Sequence, residues 1–131
     1  MSAIYMISTN TASVLANGIV PLNVAKRNNC VIMPGSNAAI LKKPGYYGVY
    51  ATVTFSAPAA GDVSLAVQKN GVTVPGITAV ETITTPNTEF RTVTILGIVQ
   101  VLCHEDTPAL TLVNTSDAGI TVTNASLVVI Y

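Results

Sequence analysis

Residues 48–56, Gly-Val-Tyr-Ala-Thr-Val-Thr-Phe-Ser, alternate strictly. Val49, Ala51, Val53 and Phe55 fall on one side, and Tyr50, Thr52, Thr54 and Ser56 on the other. A two-residue period places one apolar face on a β-strand, whereas a helix would scatter the same residues around its circumference. Pro44-Gly45 marks the start of the run and Pro58 its stop. Similar runs recur along the chain. Residues 62–69 lead into Asn70-Gly71 and then Val72, Thr73 and Val74. Asn-Gly between apolar runs signals a two-residue hairpin, because a type I′ turn needs two positive φ angles. Pro75-Gly76 reads as a break before a separate strand over 77–84. Residues 89–102 form a long run in which Gly97 suggests a bulge or the close approach of another backbone. Residues 103–108 read as a polar loop, and 109–114 and 120–131 as the last two strands.

The first forty residues are less regular. Residues 3–8 read as a strand and 14–24, with Gly18 and Pro21, as a broken or edge strand. Residues 31–33 and 38–41 are short strands either side of Pro34-Gly35, and 11–16 offer the one candidate helical turn. Roughly nine or ten strands with no convincing helix predict an all-β, single-domain (residues 1–131) two-sheet jelly-roll sandwich. The run at 120–131 adds a constraint. Leu127, Val128, Val129, Ile130 and Tyr131 are apolar on both sides of a strand, so both faces should be buried, in a core or against another subunit.

Composition bears on that choice. Half of the 131 residues are hydrophobic, only 9% are charged and the formal net charge is zero. Ordinary domains carry about 25% charged residues, and a small domain with so little charge precipitates if all its apolar surface meets water. No run approaches the roughly 18 apolar residues of a spanning helix, so membrane insertion is not expected. Burial between subunits remains, and a stable homo-oligomer is expected. Lys26, Arg27, Lys42, Lys43, Lys69 and Arg91 form no sizeable patch in the sequence and six acids offset them, which argues against nucleic acid. The start lacks the basic region and long apolar core of a signal peptide. Synthesis in a cytoplasm is expected, with a final location on a virion or on a cell or spore surface. Cys30 and Cys103 are too few for a disulfide framework. They read as two small buried apolar residues, with a bridge between them left open.

Residues 43–47 (Lys-Pro-Gly-Tyr-Tyr) through Phe55, followed by 63–69 and Asn70-Gly71, resemble the globular head of the complement q-subcomponent family, within the wider tumour-necrosis-factor-like jelly rolls. The resemblance rests on a Pro-Gly-x-Tyr start to a long central strand with Phe near its end, a later strand ending in Lys-Asn-Gly, and an apolar strand at Leu127–Tyr131. It spans nearly the whole chain. The usual Gly-Asp pair before the penultimate strand is replaced by Cys103-His104-Glu105-Asp106, and aromatics near the end are fewer. The Thr/Ala/Val-rich style is similar to bacterial and phage members, among them spore-surface glycoprotein tips and phage head-fibre or decoration proteins. The resemblance implies a bell-shaped homotrimer, here a head without a collagen-like stalk, held by a capsid or surface anchor protein. It implies an interface formed by Tyr46, Tyr50, Leu127, Val129 and Tyr131.

Cys103, His104, Glu105 and Asp106 are the only cluster of potential metal ligands. Adjacent residues rarely converge on one ion, but three copies of Glu105 and Asp106 around a trimer axis would suit calcium. The alternative is a solvated loop and no cofactor. Tyr46 and Tyr50, with Tyr47, are candidates for stacking on a glycan; the alternative places Tyr47 at the strand start and Tyr46 and Tyr50 at a subunit interface. Asn114-Thr-Ser116 and Asn124-Ala-Ser126 match the glycosylation sequon by chance. There is no Gly-x-Ser-x-Gly motif, carboxylate pair or phosphate loop, so no catalytic residue is assigned and no enzyme activity is expected. The expected function is a non-enzymatic structural or attachment protein, with a glycan- or host-binding recognition head as the alternative.

Overall fold

The computed structural model describes residues 2–28 and 30–131. They form eleven strands: β1 (Ala3–Ser8), β2 (Ala12–Val14), β3 (Asn23–Asn28), β4 (Ile32–Gly35), β5 (Ala38–Leu41), β6 (Gly45–Ser56), β7 (Gly61–Lys69), β8 (Val72–Ile83), β9 (Arg91–Val101), β10 (Ala109–Asn114) and β11 (Ile120–Ile130). The strands make two antiparallel sheets. The first runs β3-β1-β11-β6-β9, with β2 extending the line of β1 along the same flank of β11; the second runs β4-β5-β10-β7-β8. This is the jelly-roll sandwich that the strand spacing predicts. The candidate helical turn at 11–16 is instead strand β2, because Ala12, Ser13 and Val14 pair with Val122, Thr121 and Ile120.

The alternating residues of β6 fill the core. Val49, Ala51, Val53 and Phe55 are at most 1% exposed and face Leu65, Val67, Leu110 and Leu112 of the second sheet, all fully buried. β11 lies between β1 and β6, in register from Ile4–Val129–Val49 to Met6–Leu127–Ala51. Leu127 and Val129 are therefore wholly enclosed within their own chain. The reading of 127–131 as buried on both sides needs that refinement: alternate residues Leu127 and Val129 enter the core, while Val128 and Ile130 are only half-buried.

Pro75-Gly76 does not end a strand. The pairing of β7 with β8 slips between Ala66–Thr78 and Gln68–Thr73, so Val74 to Ile77 bulge out of an otherwise continuous β8. Gly76 takes φ 84° there, a conformation L-residues with side chains disfavour. The bulge turns Ile77 inward onto β9. A Cβ on Gly97 would lie 2.6 Å from Ile77 Cγ1. Gly97 thus answers to a side chain of the facing sheet, while the β6–β9 register runs through it without a bulge. The Asn70-Gly71 turn is as predicted, with φ 51° and 83°.

One further expectation changes. Cys30 and Cys103 are both exposed and free, because each sits in a connection beyond a strand end. Asn114 of the first sequon is completely buried. Its amide donates to the carbonyls of Val14, Leu15 and Ala118, and its Oδ1 accepts from Ser116 N at 3.0 Å. It fastens the end of β10 to the β2–β3 connection and is unavailable to modification.

Candidate functional site

Alternation that sends half of each strand inward sends the other half outward, and on the first sheet the outward half is apolar. Registration aligns it in rows. Tyr5, Val128, Tyr50 and Leu96 are cross-strand neighbours on β1, β11, β6 and β9; Ala3, Ile130, Gly48 and Ile98 form the next row. Tyr46 stands beyond them, paired with Gln100, whose Nε2 donates to the tyrosine hydroxyl at 3.3 Å. Exposure is 52% at Tyr50, 61% at Leu96, 67% at Ile98 and 66% at Tyr46, in a molecule whose core is otherwise closed. Cross-strand neighbours lie about 5 Å apart, so these side chains form one continuous surface. Apolar patches of this kind on a small domain mark interaction sites.

The face changes character along the strands. The row Ile7–Ser126–Thr52–Thr94 is mixed, and the row Asn124–Thr54–Thr92 is polar, with the two threonine hydroxyls 2.9 Å apart. At the β3 margin Lys26 pairs with Tyr5 and helps to line a groove of about 300 Å³ with Val128 and Ile130. Among the described residues, no carboxylate, histidine or cysteine shares these outward rows. Chemically, the surface is suited to being covered.

The structure separates the residues expected at an interface. Tyr46 and Tyr50 lie on this face. Leu127 and Val129 do not, because strand alternation turns them into the core; the outward residues of β11 are Val128 and Ile130. Tyr131 folds back on its own chain. Its ring centroid is 4.8 Å from that of Tyr47, its hydroxyl donates to Pro44 O at 2.9 Å, and it lies where a Cβ on Gly45 would sit. Tyr47 is fully buried at the strand start and donates to Lys43 O at 2.7 Å. Burial, partly offset by that bond, pushes its phenol above the ordinary value. Tyr5, Leu96 and Ile98 escape sequence reasoning. Their apolarity is legible, but which side of each strand faces out is set by register with distant strands.

The 103–106 segment is a connection tied to the sandwich. Glu105 forms an ion pair with Lys69 (2.8 Å) and accepts from Leu102 N (2.9 Å). Lys69, then the Leu102 amide, holds its carboxyl below the usual range. Among the described residues no three of His, Cys, Asp and Glu are grouped to hold a metal ion. Glu105 already has its cation, and Asp106 is exposed. No described helix is long and apolar enough to cross a membrane.

The strand order makes a jelly-roll sandwich whose first sheet presents an exposed apolar face. No family model matches the sequence, and no curated protein does. Solved structures match throughout. Murine APRIL at pH 5.0 superimposes with a TM-score of 0.73 at 12% identity, over 99% of this chain and 98% of that one. The globular domain of zebrafish complement 1qA protein gives 0.69 at 10%, over 98% and 95%. The phage PRD1 vertex protein P5 gives 0.53 at 17%, over 99% and 97%. The C1q/TNF-like jelly roll is thus the fold of this chain, as the Pro-Gly-x-Tyr and Lys-Asn-Gly resemblance implies.

Proposed function

We propose that this chain is a non-enzymatic, homotrimeric structural or attachment protein on a particle surface, a phage virion decoration or head-fibre component held by a capsid anchor protein. The observation that carries the reading is the outward face of the first sheet. Tyr5, Tyr46, Tyr50, Leu96 and Ile98 are exposed together in a chain with 9% charged residues, a combination that an obligate interface relieves. The likeness to a phage vertex protein favours a particle over a secreted signal. Analytical ultracentrifugation at micromolar concentration tests the assembly: a trimer is expected, and a monomer rejects it. Proteomics of purified virions tests the location.

A second reading has its own support. Tyr46 and Tyr50 present aromatic rings near the apolar end of the face, and such rings stack on sugars. A bacterial surface or spore-coat head binding a glycan or host molecule would use them. Glycan-array binding that Tyr46→Ala abolishes in an intact trimer would favour this reading over the first.

A further inference from the structure

The charges of this chain are sorted along it. Four of its six cations, Lys26, Arg27, Lys42 and Lys43, precede its first acid, Asp62. The fold carries three of these cations, and five of the six acids, toward two opposite edges; Lys43, just before β6, and Asp117, between β10 and β11, belong to neither. β3 and β4 are the outer strands of the two sheets on one side, and β9 and β8 on the other. β3 carries Lys26 and Arg27, with all six of its residues exposed. Lys42 joins the same side, since its backbone N–H donates to Val31 O just before β4. Among the described residues, none of the four cations is in an ion pair. On the far side Lys69 and Arg91 are neutralised by Glu105 and Glu89. Asp62, Glu81 and Asp106 there have no cation partner among the described residues, although Asp62 accepts from Thr82. One edge is therefore basic and the other acidic. The acidic edge also holds a cleft of about 400 Å³ between β8 and β9, bordered by the exposed apolar side chains Val72, Ile98 and Leu102.

The two cysteines follow the same division. Cys30 lies two residues past the end of β3 and Cys103 two past the end of β9. The row Asn28–Ala3–Ile130–Gly48–Ile98 crosses the sheet between these ends, so both thiols project from one end of the sandwich. Four inter-strand spacings, about 19 Å, separate the edges, well beyond the reach of a disulfide within one chain.

Resting on the trimeric reading, we propose which surfaces meet. Copies join head to tail around an axis that the apolar rows of the first sheet face, with the basic β3 edge of one against the acidic β8–β9 edge of the next, so that Cys30 of each copy comes beside Cys103 of its neighbour. A heterologous contact between unlike edges closes a ring when the rotation allows. Opposite charge on the two edges steers encounter into that orientation and opposes like-edge pairing. Once the particle meets an oxidising medium, a low-molecular-weight disulfide such as oxidised glutathione closes the joint. The two thiols lose two protons and two electrons to form one S–S bond, and each oxidised glutathione becomes two reduced ones.

The test uses the full-length chain. Native mass spectrometry first establishes the oligomer; oxidised glutathione is then added and the products are run on a non-reducing denaturing gel. The expected result is a covalent ladder ending at the trimer, with a Cys30–Cys103 linkage in the peptide map. Cys30→Ser and Cys103→Ser should each abolish the ladder, and mixing the two variants should restore a singly linked dimer. Lys26→Glu with Arg27→Glu should raise the dissociation constant at least tenfold at low salt, and adding Glu81→Lys with Asp106→Lys should recover most of it. A trimer that stays unlinked, links Cys30 to Cys30, or ignores the charge reversals overturns the head-to-tail joint and leaves the trimer standing. A monomer at every concentration overturns the trimeric reading and this joint with it.

Discussion

The two sheets obey the same alternation and finish with opposite surfaces. On the first, the outward rows carry Tyr5, Val128, Tyr50 and Leu96. On the second, the outward rows carry Thr111, Gln68 and Thr73, then Ser64 and Val80, then Asp62 and Thr82. The polar side chains bond to each other: Gln68 Nε2 donates to Thr73 Oγ1 at 3.3 Å and Thr82 Oγ1 to Asp62 Oδ1 at 2.7 Å. Ala66 on that face is fully buried, and Val113 is covered where Ile19 bridges to it. One face is finished for water and the other is left apolar. Hydroxyls and amides, with the one carboxylate of Asp62, separate the faces, and neither relies on many charges.

The comparison breaks most severely at the strand common to core and face. Removing residues 128–131 takes Val129 from the core and the pairing partners of β1 and β6 from the centre of the first sheet. Loss of folding is expected, read as loss of cooperative melting by circular dichroism; a folded truncation would show that β11 is dispensable.

Next in size is charge on the faces. Tyr50→Glu should leave a folded monomer and raise the dissociation constant by about thirtyfold or more, since a buried interface anchor contributes on the order of 2 kcal/mol or above. Thr73→Glu on the polar sheet should change neither sedimentation nor melting. Equal effects of the two would erase the distinction between the faces.

A smaller effect sharpens how the sheets meet. Gly97→Ala puts a methyl group against Ile77 and should cost about 1–3 kcal/mol by overpacking. In Ile77→Ala the same glycine change should cost much less, so a double-mutant cycle in urea should show coupling. Additive losses would mean the contact is not specific.

The smallest effect concerns pH. Glu89 accepts from the Thr84 hydroxyl and from the Thr84 and Thr85 amides, and pairs with Arg91. The Thr84 hydroxyl first, then the amides, pull its carboxyl down to about 2. A depressed carboxylate lends stability that is fully present above its ordinary value of 4.5 and is lost as pH falls toward 2. Wild type should therefore lose more melting temperature than Glu89→Gln across that window. Parallel curves would assign the turn no electrostatic role.

Much of the fold is legible because turns and alternation are local. Val49 to Phe55 point inward as their spacing requires, and Asn70-Gly71 turns the chain where a type I′ turn fits. Pro75-Gly76 misleads for the opposite reason: the local signal for a break is real, but pairing with β7 continues past it and converts the break to a bulge. Cys30 and Cys103 mislead because cysteine favours interiors on average, whereas their positions past strand ends leave them in water. Leu127 and Val129 look like interface residues only while the apolar run is taken whole; pairing with Ile4 and Met6 shows which half of the run is inside.

By itself the sequence determined the all-β class, the strand spacing and a shortage of charge that calls for a partner. These follow from steric preference and side-chain period, which act over a few residues. Only the tertiary structure decided that Tyr5, Tyr50 and Leu96 share one surface, that Ile77 rests on Gly97, and that charges separated along the chain become opposite edges. Each of these depends on register between strands far apart in sequence, and a slip of one residue would send every side chain to the other face.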